Sequence, residues 1–267
     1  MKKIAVLLIL AFVLFVSSCD DFFSKSWGSN RDYDPKNIHV TASNIDDWVK
    51  ACVGNPDLTK ATLKAISREL KKQPPLLEKD KKILFNAGLR LAVDSSGLGE
   101  SILTIGAKSL KGLDFDDINE DKIKELLNDI LKDFNSKGGP AAADTISDMV
   151  IDLIDVETGK FKPEFIEMYN DIFNPGDVSE AILVLVLGEM INNPNFVMNE
   201  WDTIMYLNDV FSVENNPKGG LCVEVNDPTD TNAIVLAAYI NLVIDDPWDK
   251  YVDNPLANAL KDMFLGK

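Results

Sequence analysis

Two segments in the second half of the chain are apolar on every side, and they constrain the fold more than any other feature. They cover residues 181–187 (AILVLVL) and 233–240 (AIVLAAYI). Both are much shorter than the ~20 residues that cross a bilayer, so we expect them to be central, wholly buried helices of a globular bundle. The first segment could instead be a buried strand, because the periodicity of a short apolar run does not distinguish the two. We predict a helix for the first segment, because Asp177 or Ser179 can cap it and it continues to the break at residues 192–194.

Amphipathic segments that are separated by Gly, Pro and Asn make up much of the remaining chain. Their apolar residues recur at helical spacing and predict helices over about 44–52, 56–73, 76–94, 98–110, 123–134, 146–158 and 196–211. Residues 213–229 are irregular, and residues 221–225 within them are the one modest strand candidate. The sequence therefore predicts an all-α fold, either an irregular multi-helix bundle or an array of helical hairpins, with at most a minor strand element near residues 221–225.

The first nineteen residues have the organisation of a secretion signal. Lys2 and Lys3 precede an uninterrupted apolar run of thirteen residues, 4–16, which is too short to span a bilayer. The run ends in Val16-Ser17-Ser18-Cys19, which resembles the lipobox of bacterial lipoproteins. The resemblance implies cleavage before Cys19 and attachment of a lipid, with palmitate among its acyl chains, to the Cys19 thiol. An ordinary cleaved signal, or an uncleaved anchor that ends in Cys, is the alternative.

This signal divides the chain into three parts. Residues 1–18 are the predicted lipoprotein signal peptide, and residues 19–37 are the lipid anchor with a polar, turn-rich tether. Residues 38–267 are predicted to form the helical globular domain. Two packed halves, 38–160 and 161–267, are a second arrangement of the same residues.

The charge of the chain restricts its partners. Without Lys2 and Lys3 the predicted mature chain of 249 residues has 25 basic and 43 acidic residues, a formal charge of −18. Such a charge repels phosphate backbones and anionic headgroups, so we predict no nucleic-acid partner. Membrane attachment is then expected through the lipid on Cys19, at the periplasmic or surface face of a bacterial membrane. The sequence leaves open whether this is the inner or the outer membrane.

Residues that could support catalysis are few. His39 is the only histidine, so a His-rich metal site is excluded and any triad would have to use this residue. Cys52 and Cys222 either pair as a disulfide or serve as two small buried residues. We predict no catalytic, cofactor-binding or metal-ligating residue.

Acidic residues are abundant enough to suggest calcium at two places. Residues 114–125 imitate an EF-hand loop without its glycine, and residues 155–164 are one residue short. We interpret both as acids at helix ends. Asp144, Asp148 and Asp152, which we call the acidic ridge, recur at four-residue spacing and predict a solvated helix face that could meet a basic partner.

These observations favour a non-enzymatic binding or scaffold role in the cell envelope, with a protein or an apolar small molecule as partner. One alternative is an envelope hydrolase that uses two carboxylates, a class that needs only Asp or Glu. A second alternative is insertion of amphipathic helices into a bilayer, for which residues 98–110 are the best candidate. The oligomeric state stays open.

Overall fold

Helices dominate the part of the chain that the computed structural model describes, which comprises residues 37–98, 120–170, 175–192, 211–215, 221–225, 227, 229–247 and 250. The eight α-helices within these residues are α1 (Ile45–Cys52), α2 (Pro56–Leu70), α3 (Glu78–Ser95), α4 (Glu120–Ser136), α5 (Gly139–Val150), α6 (Pro163–Tyr169), α7 (Pro175–Asn192) and α8 (Thr231–Asp245). The predicted all-α fold is confirmed.

Two short antiparallel hairpins accompany these helices. Strands β1 (Ile154–Asp155) and β2 (Lys160–Phe161) form the first, and β3 (Phe211–Asn215) and β4 (Leu221–Val225) form the second. The strand prediction for residues 221–225 is confirmed. The prediction that a helix ends at Phe211 and that residues 213–215 are irregular was wrong. The strand at residues 221–225 needs a partner for its backbone hydrogen bonds, and residues 211–215 are that partner. The alternation of Phe211 and Val213 with polar residues was the signal for that partner.

Helix α8 lies at the centre of the helical packing. Every residue from 233 to 243 is buried, and the helix packs against α5, α7, β2 and β4. The Asp230 side chain starts the helix by accepting a hydrogen bond from the Ala233 N–H at 3.0 Å. The prediction of a central, wholly buried helix is confirmed for this segment.

Helix α7 contains the other apolar segment, and the choice of helix over strand is confirmed for it. Most of residues 181–187 are buried. This helix packs closely on α5 because Gly188 has no side chain: a Cβ atom there would lie 2.5 Å from the Ala143 Cβ atom. Glycine at this position therefore sets the separation of the two helices.

The turn between α1 and α2 forms as the sequence predicts. Gly54 has a φ of +72°, which favours glycine, and the chain then restarts at Asn55-Pro56. The Asn55 side chain accepts a hydrogen bond from the Leu58 N–H at 3.1 Å, and Pro56 occupies the first helical position.

Asn44 precedes α1 as predicted but does not cap it through its side chain. Its Oδ1 atom accepts from the Thr41 N–H at 2.7 Å, and its Nδ2 atom donates to the His39 carbonyl at 3.0 Å. The sequence predicts a cap for this helix from Ser43 or Asn44. A cap from the Asn44 side chain does not form, because the preceding loop uses both polar atoms of its amide.

Helix α5 ends earlier than predicted. It stops at Val150, and a 3-10 turn (Ile151–Leu153) leads into the β1–β2 hairpin. Ile154 pairs with Phe161 across this hairpin, and both residues are buried. The hairpin forms in place of the last predicted helical turns because it buries this cross-strand pair. Gly159, with a φ of +61°, allows the tight turn between the two strands.

The buried residues of helices α1 to α8 form a shared hydrophobic core, which extends from Val40 to Val243. An aromatic cluster joins α3, β2, α6 and α8 within it. Its rings meet at centroid distances between 4.2 and 5.8 Å and belong to Phe85, Phe161, Phe165, Tyr169 and Tyr239. Contacts of this kind stabilise a single arrangement of the helices.

Candidate functional site

The lipobox-like segment and Cys19 lie outside the described residues, so lipidation stays a prediction. The amphipathic segment 98–110 also lies outside them except for Leu98, which is buried. None of the described helices has the length and apolar character needed to cross a membrane.

His39 is exposed and lies in the loop before α1. Its backbone carbonyl accepts hydrogen bonds from the Asn44 Nδ2 atom at 3.0 Å and the Trp48 Nε1 atom at 3.2 Å. These contacts use the backbone of His39 to hold the loop on α1.

Cys52 is a free, buried thiol, which excludes a disulfide with Cys222 in this structure. Its Sγ atom donates to the Thr62 Oγ1 atom at 3.4 Å, across the contact between α1 and α2. Burial raises the pKa of the Cys52 thiol, and hydrogen bonds with Thr62 and Thr59 oppose this shift. A raised pKa leaves little thiolate near neutral pH, so Cys52 has the properties of a packing residue.

The second calcium-like segment, residues 155–164, forms a hairpin turn followed by the start of a helix. The Asp155 carboxylate accepts the N–H of Glu157 at 3.0 Å, which closes the turn, and Glu164 lies in the first turn of α6. In the part of the chain that the structure describes, no three His, Cys, Asp or Glu side chains form a metal-binding group. Residues 114–119 of the first segment lie outside that part.

The three residues of the acidic ridge are exposed, as predicted. The Asp144 Oδ1 atom accepts from the Asn232 Nδ2 atom at 2.9 Å, which ties α5 to the start of α8. At the other end, the Lys71 Nζ atom lies 3.8 Å from the Asp152 Oδ2 atom. The ridge therefore follows the outside of α5 and of the 3-10 turn after it, from the start of α8 to the end of α2.

A charged cluster that sequence reasoning missed joins α3 to α7. The Arg90 Nε atom lies 3.5 Å from the Asp177 Oδ2 atom, and Asp94 is one helical turn after Arg90. Burial raises the pKa of the Asp94 carboxyl to about 6; Arg90 opposes this shift and Asp177 adds to it. Asp94 as a whole residue is exposed, so solvent screens part of this effect, which reduces the size of the shift but not its direction.

This cluster brings together two carboxylates that are far apart in sequence and have different environments. Asp94 has a pKa within reach of neutral pH, while Asp177 is paired with a guanidinium group. Unequal carboxyl groups of this kind can divide acid and base roles. Nothing in the sequence distinguishes this pair among the 43 acidic residues of the chain.

A second feature that sequence reasoning missed is a concentration of positive charge. Residues 60–82 contain eight of the 27 basic residues of the chain but only three of its 43 acidic residues. We use the name basic face for six exposed residues of this segment, namely Lys60, Lys64, Arg68, Lys71, Lys72 and Lys79. Counting charge in short windows along the chain would have found it.

No family model matches the chain, and neither a curated protein nor a solved structure matches it. Functional inference therefore depends on the residues of the chain itself. The relevant features are the lipobox-like segment, the acidic ridge, the charged cluster and the basic face.

Proposed function

We propose that this chain is a lipid-anchored protein of the bacterial cell envelope with a non-enzymatic binding or scaffold role. The observation that carries the proposal is the segment Val16-Ser17-Ser18-Cys19, which follows two lysines and thirteen apolar residues. Lipid on Cys19 would hold the helical domain at a membrane through the tether of residues 20–37.

The surface of the helical domain supports the binding part of the proposal. Helices α2 and α5 pack against each other, and one has a basic outer side while the other has an acidic one. The inner sides of both helices belong to the shared core, so the basic and the acidic surface have a fixed position relative to each other. A basic envelope protein is the partner that fits the acidic ridge, and an apolar small molecule is the alternative ligand.

Replacement of the anchor residue tests the first part of the proposal. Cys19→Ala should move most of the protein from the membrane fraction to the soluble fraction and abolish incorporation of labelled palmitate. Cys52→Ala is the matched control, because it removes another thiol and should leave both readouts unchanged. Protein that stays in the membrane fraction after Cys19→Ala would show that another segment or a partner holds it there.

Crosslinking in intact membranes tests the second part. A protein that is captured through the acidic ridge should be lost with Asp148→Lys, which reverses the charge at the centre of the ridge. Asp129→Lys makes the same change at an exposed position of α4 and should leave capture intact. Equal capture by both variants would exclude the ridge as the binding surface.

A carboxylate-dependent hydrolase is the second candidate function, and the pairing of Arg90 with Asp177 beside Asp94 favours it. In this case Asp94 would act as the general acid and Asp177 as the charged partner. Purified protein should then hydrolyse a member of a glycan or ester panel, and Asp94→Asn should abolish that activity while Asp148→Asn does not. Absence of hydrolysis across the panel would reject this candidate.

A further inference from the structure

We infer that the basic face rests on the anionic headgroups of the membrane that carries the protein and thereby fixes the orientation of the helical domain. This inference depends on the lipid anchor proposed above. The anchor keeps the domain near the membrane, and the basic face selects the side of the domain that meets it.

The distribution of charge is the first argument. Residues 60–82 have a formal charge of +5 in a chain whose total is −16, so all other residues together contribute −21. An anionic surface repels most of this molecule and attracts the segment 60–82. Among the possible orientations of the anchored domain, the one that turns this segment toward the headgroups therefore has the lowest electrostatic energy.

The geometry of α2 is the second argument. Lys60, Lys64 and Arg68 follow one another at four-residue spacing and are exposed, while Leu58, Leu63 and Ile66 are buried on the other side. A helix of 15 residues is about 22 Å long. The positive charges thus form a straight row on the outer side of a helix whose inner side is fixed in the core.

The connector between α2 and α3, residues 71–77, follows this row along the chain and adds an exposed apolar side chain. Gln73, Pro74 and Pro75 are exposed, and Leu77 is 75% exposed with Lys79 two residues further on. A leucine with lysines nearby suits the boundary between headgroups and acyl chains, where the leucine enters the apolar layer and the lysines meet phosphate.

Among the described residues, the basic face forms two ion pairs, and both lie near its centre along the chain. The Lys72 Nζ atom lies 3.2 Å from a Glu69 carboxylate oxygen, and Lys71 lies near Asp152 as described above. The lysine of each pair is exposed, although Glu69 is partly buried, and ion pairs that are open to solvent on one or both sides are weak. Both lysines can therefore exchange their partner for lipid phosphate. Lys60, Lys64, Arg68 and Lys79 flank these pairs on both sides along the chain.

Lipid fits this surface better than an acidic protein does. Seven of the eight basic residues in segment 60–82 are lysines, which act as point charges and suit a diffuse field, whereas arginine is preferred for bidentate recognition. A tether of 18 residues reaches at most about 60 Å, so the anchor confines the domain to the vicinity of the membrane. Under such confinement a weak attraction is sufficient to select an orientation.

The experiment uses the full lipidated protein in vesicles of phosphatidylcholine, with or without one third phosphatidylglycerol. Hydrogen exchange of peptides from the connector is the readout, because an amide that contacts the membrane is shielded from solvent. We expect exchange to be at least threefold slower on the anionic vesicles than on the neutral ones, and salt should remove the difference.

Two variants separate a local contact from a general charge effect. Lys64→Glu should abolish most of the difference between anionic and neutral vesicles. Lys132→Glu makes the same charge change at an exposed position of α4 and should retain the difference. An equal loss in both variants would overturn the inference, since overall charge would then account for the result.

The remaining outcomes distinguish this inference from the proposed anchor. If the protein floats with both kinds of vesicle but its connector exchanges equally fast on both, the lipid anchor is supported and the inference about the basic face is wrong. Protein that does not float with vesicles refutes the anchor and the inference together. Protection that occurs in native envelope membranes but not on protein-free anionic vesicles would assign the basic face to an acidic protein and overturn the assignment to lipid.

Discussion

Helices α2 and α8 have the same length of 15 residues and start in the same way, yet they have opposite roles in the molecule. Each begins after a residue whose side chain accepts a hydrogen bond from the third residue along, Asn55 in one case and Asp230 in the other. Helix α8 buries every residue from 233 to 243, whereas α2 buries only one side. The capping residue thus fixes where a helix begins, and the distribution of apolar residues around the helix fixes where it lies.

This difference indicates where function should be sought. All sides of α8 are used in contacts with the helices and strands around it, so substitutions there change stability. The outer side of α2 contributes nothing to the core and contains the basic residues instead. Substitutions on that side should change interactions of the protein while leaving the fold intact.

The largest expected effect comes from truncating a buried leucine of α8. Leu236→Ala should lower the free energy of unfolding by about 2–5 kcal/mol, because it removes a fully buried side chain and leaves a cavity. Leu77→Ala, at an exposed leucine of the α2–α3 connector, should change it by less than about 0.5 kcal/mol. Urea denaturation measures both values, and similar losses would contradict the contrast between the two regions.

A smaller effect is expected from the capping residues, which the two helices have in common. Asn55→Ala and Asp230→Ala should each destabilise the protein by about 1 kcal/mol, since each leaves an N–H group of the first turn without its acceptor. The variants Asn55→Asp and Asp230→Asn keep an acceptor oxygen and should recover most of the loss. If Asp230→Ala had no effect in urea denaturation, packing alone would define the start of α8.

The smallest expected effect is a pH dependence at Asp94, on α3, which contacts both α2 and α7. Its pKa is raised from 3.8 to about 6 in the folded protein, so the folded state holds the proton more tightly than the unfolded state does. Stability should therefore fall as pH rises from about 4 to 6, and this contribution should be absent in Asp94→Asn.

Thermal melting at several pH values tests this assignment. The melting temperature of Asp94→Asn relative to the wild type should rise across that interval, and Asp148→Asn on the exposed acidic ridge serves as the control. A constant difference between wild type and Asp94→Asn from pH 4 to 7 would contradict the assignment.

Much of the secondary structure was predictable because its signals are local. Asn55-Pro56 marks the start of α2, and Gly138 with its φ of +90° separates α4 from α5. Residues 233–240 are apolar on every side, which predicted their burial at the centre of the helical packing. The predictions failed where another segment competes for the same backbone or side-chain groups. Ile154 pairs with Phe161 in a hairpin, and the Asn44 amide forms hydrogen bonds with the loop before α1.

The candidate sites were less predictable, because they depend on residues from separate elements. The sequence allows Cys52 to form a disulfide or to remain a buried thiol. The packing of α1 on α2 shows that it is a buried thiol. Arg90 and Asp177 are likewise brought together only by the contact of α3 with α7. The basic face is a different case, since its residues all lie within the one segment 60–82 and an average over the whole chain conceals their positive charge.

By itself the sequence determined the helical class, the position of most helix ends and the two apolar segments that form the centre, because capping, glycine and apolar periodicity act over a few residues. The tertiary structure decided which charged side chains meet and which side of each helix remains exposed. Those outcomes depend on how the helices pack, and packing is a property of the assembled core and not of any one segment.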